Sequence, residues 1–225
     1  MPNVSQRQNL VNIMKHLYYN VGYNEDKRVG ILGMPEGWNP FPIEKTGIPV
    51  ENIDRLILTL KYGKYTDLMV SDGCAYALSP RLKELFEHYV TDSTLIEFYP
   101  VKAVSEQYGD RTYYLLHFTR WCDVRNEKMT RFMPRSKYPA RMVLDYEKVG
   151  GLSIFNSDSY RPEFLLSDEV RRAIVREKMH VGIAFDPVEC SGVPEELQEK
   201  GYACAEPPKS IWKCLSSFFC KIRVI

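Results

Sequence analysis

At 225 residues, with 44% apolar and 12% aromatic side chains, the chain can bury a core as one domain with internal repeats or as two small domains. Thirty basic against 29 acidic residues leave a formal net charge of +1, so no global field announces a nucleic acid or an anionic membrane. No apolar run approaches the ~20 residues that span a bilayer and no secretory signal is visible at the start, so the expected compartment is the cytoplasm.

Residues 1–13 are polar and aperiodic and read as a flexible leader. Leu17-Tyr18-Tyr19-Asn20-Val21 is β-branched and aromatic and predicts a first strand. From Gly30 to Pro49 glycine and proline recur every few residues, which predicts a long irregular segment. Asn52 to Leu60 reads as a strand, and Asp67 to Val70 leads into another. Ser79 is placed to cap a helix with Pro80 at its first position, and Leu82, Leu85, Phe86 and Tyr89 form one apolar stripe. Leu95 to Val101 follows as a strand, with Pro100 arguing for an edge or a terminus. Tyr113 to Phe118 is the next strand.

The same phrase then recurs. Leu165-Leu166-Ser167-Asp168-Glu169-Val170 again places a capping serine before a helix, with Asp168 and Glu169 complementing its positive end. Val170, Ile174 and Val175 are expected to pack inward, and Val181 to Phe185 returns as a strand. Both copies end on Phe-x-Pro-Val, at Phe98 to Val101 and at Phe185 to Val188. Met142 to Asp145 and Leu152 to Phe155 read as a hairpin around Gly150-Gly151. After Pro207-Pro208, Ile211, Trp212, Leu215, Phe218, Phe219 and Ile222 fall at helical spacing, which predicts an apolar C-terminal helix.

Catalytic arrangements are scarce. There is no G-x-S-x-G, P-loop, G-x-G-x-x-G or H-E-x-x-H. Cys74, beside Gly73 and Asp72, reads as a buried thiol, and Glu97 and Asp186 read as solvated carboxylates at strand ends. Cys74, Cys122, Cys190, Cys204, Cys214 and Cys220 are scattered without a C-x-x-C pair, and the four histidines are dispersed, so neither disulfides, a metal nor any other cofactor is expected.

The segment from Asp110 to Arg141 is the best functional candidate. It carries Arg111, Arg120, Arg125, Lys128, Arg131, Arg135, Lys137 and Arg141 against Asp110, Asp123 and Glu127, with Trp121, Phe132 and Tyr138 interleaved. Arg and aromatic residues dominate protein–protein binding energy, and the same mixture also serves phosphate contact and base stacking. Arg120, Trp121, Arg125, Arg131, Phe132 and Tyr138 are the candidate partner-binding residues.

The Tyr-Tyr strand, Leu78-Ser79-Pro80-Arg81-Leu82-Lys83-Glu84-Leu85, Ile96-Glu97-Phe98-Tyr99-Pro100-Val101, Tyr113-Tyr114-Leu115-Leu116, Trp121-Cys122-Asp123 and Leu166-Ser167-Asp168-Glu169-Val170 together resemble the Imm11 immunity protein family, formerly a domain of unknown function. The resemblance runs from about Met14 to Val188. It implies a bacterial immunity protein that neutralises a cognate toxin, encoded beside it, by occlusion and without catalysis. The expected fold is α+β: a first half over 14–109, a basic and aromatic connection over 110–141, a second half over 142–190, and a linker with the apolar helix over 191–225. Self-association stays open. The rival functions are a nucleic-acid-binding module using residues 110–141 and an uncharacterised enzyme.

Overall fold

The computed structural model describes residues 15–24, 29–40, 50–73, 75–136, 139–157 and 164–206. The leader 1–13 and the helix expected after Pro208 lie outside them, as do Cys74 and Tyr138. In chain order the first strands are β1 (Tyr18–Tyr23), β2 (Ile31–Gly33), β3 (Ile57–Tyr62), β4 (Leu68–Ser71) and β5 (Tyr76–Leu78). Helix α1 (Pro80–Tyr89) then leads to β6 (Ile96–Val104), β7 (Arg111–Phe118), β8 (Arg131–Phe132), β9 (Pro139–Arg141) and β10 (Val143–Asp145). Helix α2 (Tyr146–Val149), β11 (Ile154–Phe155), β12 (Phe164–Ser167), α3 (Asp168–Arg176), β13 (Ile183–Ser191) and α4 (Glu195–Glu199) complete the described chain. The fold is α+β.

Two sheets carry it. β2-β3-β6-β7-β5-β4 close into a barrel, and β10-β13-β1-β12-β11 form an open five-stranded sheet. The repeated phrase takes the same course in each. β5 and β6 both lie antiparallel to β7 and flank it, as β12 and β13 both lie antiparallel to β1 and flank it. Each unit is thus a split strand-helix-strand, clasping one strand from elsewhere in the chain.

Burial explains the composition of the strands. β5 and most of β12 are buried on both faces, so Tyr76-Ala77-Leu78 and Phe164-Leu165-Leu166 read as continuous apolar runs rather than alternating ones. Ala77 faces the barrel interior with Leu32, Leu58, Met69, Ala103, Tyr113 and Leu115, where small residues fit the tight lumen. Tyr76 and Leu78 face outward to join Leu82, Phe86, Phe164, Val170 and Ile174 in the core between the sheets. The far side of the open sheet is covered by Val124, Val149, Val193 and their neighbours, with Tyr18 Oη donating to the Val149 carbonyl at 2.9 Å.

Both helices begin as their serines require. Ser79 Oγ accepts from the Leu82 amide at 3.3 Å and donates to Asp67 Oδ1 at 2.6 Å, while Ser167 Oγ accepts from the Val170 amide at 3.4 Å. Ser167→Ala should therefore cost about 1 kcal/mol and Ser79→Ala, which also orphans Asp67, about 2 kcal/mol. Urea unfolding with an unchanged m-value checks both.

Several local expectations are corrected. The Gly- and Pro-rich stretch contains β2, whose pairing with β3 and β4 closes the barrel. A one-turn 3-10 helix at Ile53–Arg55 delays the following strand to Ile57. β6 is not an edge strand, although its pairing with β3 begins only at Lys102, beyond Pro100. Val175 is 41% exposed, because Val170, Ala173 and Ile174 already fill the buried stripe of α3. β10 and β11 do not form a hairpin. Asp145 caps α2 between them by accepting from the Glu147 amide, and Gly151 (φ 93°) only turns the chain after that helix. β10 pairs instead with β13 in parallel, and β11 with β12.

Candidate partner-binding site

The predicted residues lie where the chain passes from the barrel to the open sheet. β7 ends at Phe118, and Arg120 Nη2 then donates to Asp92 Oδ2 at 2.6 Å. Hydrogen bonds from Thr94, and then Arg120, hold the Asp92 carboxyl below the usual carboxylate range. Trp121 is half-buried beside it. Cys122 bridges to Ser157 in the second half of the chain, and burial pushes its thiol above its ordinary value.

Beyond Val124 the chain is bolted to the open sheet. The Asp145 amide donates to the Val124 carbonyl at 2.9 Å and the Asn126 amide to Val143 at 2.8 Å. Asn126 Nδ2 donates to Ser191 Oγ at 2.8 Å, while its Oδ1 accepts from the Lys128 and Met129 amides at 3.1 and 3.2 Å. Thr130 Oγ1 donates to the Val143 carbonyl and accepts from the Val143 amide. A side-chain amide and a hydroxyl thus satisfy a turn that no ladder would.

On this base stands a short antiparallel arm, β8 and β9, whose connection, residues 133–138, is described as far as Ser136. The Ser136 amide closes the turn on the Met133 carbonyl at 3.1 Å, with Arg135 in the left-handed region at φ 58°. Phe132 and Met133 are 39% and 46% exposed. The Arg125 guanidinium lies 5.1 Å over the Phe132 ring and within 3.6 Å of Glu127. Arg141, at the end of β9, grips Glu189 of β13 with both faces of its fork, Nε to Oε1 at 2.8 Å and Nη2 to Oε2. The Arg141 hydrogen bond holds the Glu189 carboxyl below its ordinary value.

Arg125 is therefore brought from the base onto Phe132 of the arm, and Arg131 precedes Phe132 in β8. Arg120 and Trp121 stand at the barrel end of the segment, where Arg120 is engaged by Asp92. Tyr138 lies outside the described residues. Met133 and Arg135, exposed on the same arm, are not among the six candidates, although Arg135 lies in a run from Lys128 to Leu144 that holds no acidic residue. Of the segment's basic residues, Arg111 covers the Tyr65 ring at 4.8 Å, and Arg120, Arg125 and Arg141 each hold a carboxylate. Among the described residues, Lys128, Arg131 and Arg135 make no ion pair.

Elsewhere the barrel wall carries two open grooves of about 500 and 390 Å³, meeting at Asp110. Their flanks hold the exposed ion pairs Lys61–Asp72 and Lys102–Asp110. Among the described residues, no group of three or more His, Cys, Asp or Glu is placed to hold a metal ion, and no helix is long and apolar enough to cross a membrane.

No curated protein sequence matches the chain. A family model does: the immunity protein family Imm11 matches residues 51–190, from the 3-10 turn before β3 through α1, the arm and α3 into β13, with β1 and β2 ahead of the matched span. That span is more than half of the chain, and the chain belongs to the Imm11 immunity protein family.

Proposed function

We propose that this protein binds a cognate toxin polypeptide and neutralises it by covering its working surface, with no chemistry of its own. The observation that carries the reading is the Imm11 match over residues 51–190. Its setting would be the reducing cytoplasm of the cell that makes both proteins, which suits the free thiols Cys122, Cys190 and Cys204.

The geometry supports the connecting segment as the binding surface. Occlusion at low cost needs a surface already in its bound shape, because ordering side chains and loops on binding subtracts from affinity. The base of the arm meets that need through Asn126, Thr130 and the Arg141–Glu189 fork. Phe132, with Arg125 stacked on it, supplies the Arg–aromatic anchor on which interface energy concentrates. The nucleic-acid reading is weaker, because Asp92, Glu127 and Glu189 already neutralise three of the arginines it would use.

Co-expression with the toxin encoded beside this gene is the test. Growth restored by the wild-type chain, together with co-elution of the two polypeptides as one complex, is the expected outcome. Toxicity undiminished at equal expression, with no complex, would remove the reading. Phe132→Ala should weaken binding at least about tenfold without moving the unfolding midpoint, since an exposed anchor carries interface energy and little fold energy.

A further inference from the structure

Resting on that reading, we propose that the β8–β9 arm is the inserting element and that it fits an acidic cleft with an apolar floor on the partner polypeptide.

Charge comes first. The sequence from Lys128 to Leu144 carries only basic ionisable side chains apart from Tyr138, and Arg141 is neutralised by Glu189. Lys128, Arg131 and Arg135 are exposed, and among the described residues they have no carboxylate partner. In a chain with net charge +1, this arm is a local positive field. Such a field steers association toward acidic surfaces and penalises basic ones.

Shape and apolar character come second. Phe132 and Met133 stand exposed, and Arg131 and Arg135, on either side of them in the chain, are exposed as well, so the arm offers apolar and guanidinium groups together. An isolated two-stranded hairpin is marginal in water. This one is anchored to the open sheet at both ends, by the Thr130–Val143 pair of bonds and by the Arg141–Glu189 fork. The left-handed φ at Arg135 is a local cost retained at the tip of the turn.

The occupant follows from the side-chain types. Guanidinium forks match carboxylates two bonds at a time, and a flexible thioether adapts to an irregular apolar floor. Single-strand binding stacks successive bases on successive rings, whereas the described arm exposes one ring, Phe132, with Arg125 over one of its faces. A carboxylate-lined protein cleft satisfies both the charge and the apolar groups.

The experiment uses the full chain and the toxin domain encoded beside it, inactivated at its own catalytic residue. Binding is measured by calorimetry at low and moderate salt, with a single-stranded oligonucleotide as second probe. Arg131→Glu with Arg135→Glu should raise Kd about a hundredfold and flatten its salt dependence, at an unchanged unfolding midpoint. Arg131→Gln with Arg135→Gln should raise it about tenfold, which keeps the test valid if charge reversal disturbs the fold. Wild-type binding to the toxin with unchanged affinity in both variants overturns the arm proposal and leaves the toxin reading standing. Failure of the wild-type chain to bind the toxin at all overturns both. Salt-sensitive retention of the oligonucleotide that the Gln variant loses overturns the proposal in favour of nucleic acid.

Discussion

Phe164→Ala should lower stability by about 3–5 kcal/mol, the range for removing a buried phenyl ring, and the unfolding midpoint by roughly 10 °C. Phe164 is fully buried on β12 and meets three rings at once: Tyr76 at 5.1 Å, Phe86 at 5.9 Å and Phe118 at 5.9 Å. Those rings belong to β5, α1 and β7, so one side chain of the open sheet plugs into the outer wall of the barrel. Edge-to-face pairs add to the burial term, and the cavity would open where the two sheets touch. Phe164→Leu keeps most of the volume and should cost about 1.5 kcal/mol or less. Denaturant unfolding followed by both tyrosine fluorescence and far-UV circular dichroism checks the claim. Loss near 1 kcal/mol for the alanine variant would mean that the sheets do not depend on this contact.

Asp168→Ala should cost about 3 kcal/mol, through polar groups rather than a cavity. Asp168 is 5% exposed at the first turn of α3. Its Oδ1 accepts from Arg171 Nε and Nη2 at 3.0 and 2.8 Å, and its Oδ2 accepts from Tyr202 Oη at 3.0 Å and lies 3.2 Å from Arg172 Nε. Arg171 also lies 4.7 Å over the Tyr19 ring, so the carboxylate ties α3 to β1 and to the 201–203 stretch. Removing one member of a buried ion pair costs about 3–5 kcal/mol, and Arg172, 60% exposed, recovers water and reduces that figure. The favourable charge at the helix N-terminus is lost as well. Asp168→Asn keeps an acceptor for Tyr202 and should retain about half. Hydrogen exchange gives the local readout: the Lys15 amide, which donates to the Gly201 carbonyl, and the Ala203 amide, which donates to the Lys15 carbonyl, should lose protection before the barrel does.

The parts of this fold that were legible in the sequence are those set locally. A serine oxygen reaching the amide three residues on fixes where α1 and α3 begin, and that reach is written in Ser79-Pro80 and Ser167-Asp168. The strands at Tyr76–Leu78 and Phe164–Ser167 were not read in advance, because short apolar runs buried on both faces carry no alternation to mark them. Pairing was not legible either. Gly150-Gly151 has the composition of a hairpin turn, but the partners of β10 and β11 are β13 and β12, chosen by distant packing. β2 was hidden among prolines because its three residues gain their ladder only from β3 and β4.

The candidate site divides the same way. Arg125, Arg131 and Phe132 stand out by residue type and are close in the chain. That Arg120 is held by Asp92 and Arg141 by Glu189 was invisible, because those carboxylates lie 28 and 48 residues away. Charge along a sequence counts cations, whereas only folding reveals which of them keep water as their partner. The exposed arm emerges by that subtraction.

The most direct test is a titration of toxin activity with the purified chain. Occlusion predicts inhibition that is complete at one equivalent, is set before the first reading and releases active toxin when the complex is dissociated. Inactivation by a small fraction of an equivalent, growing with time and leaving a chemically altered toxin, would contradict the account.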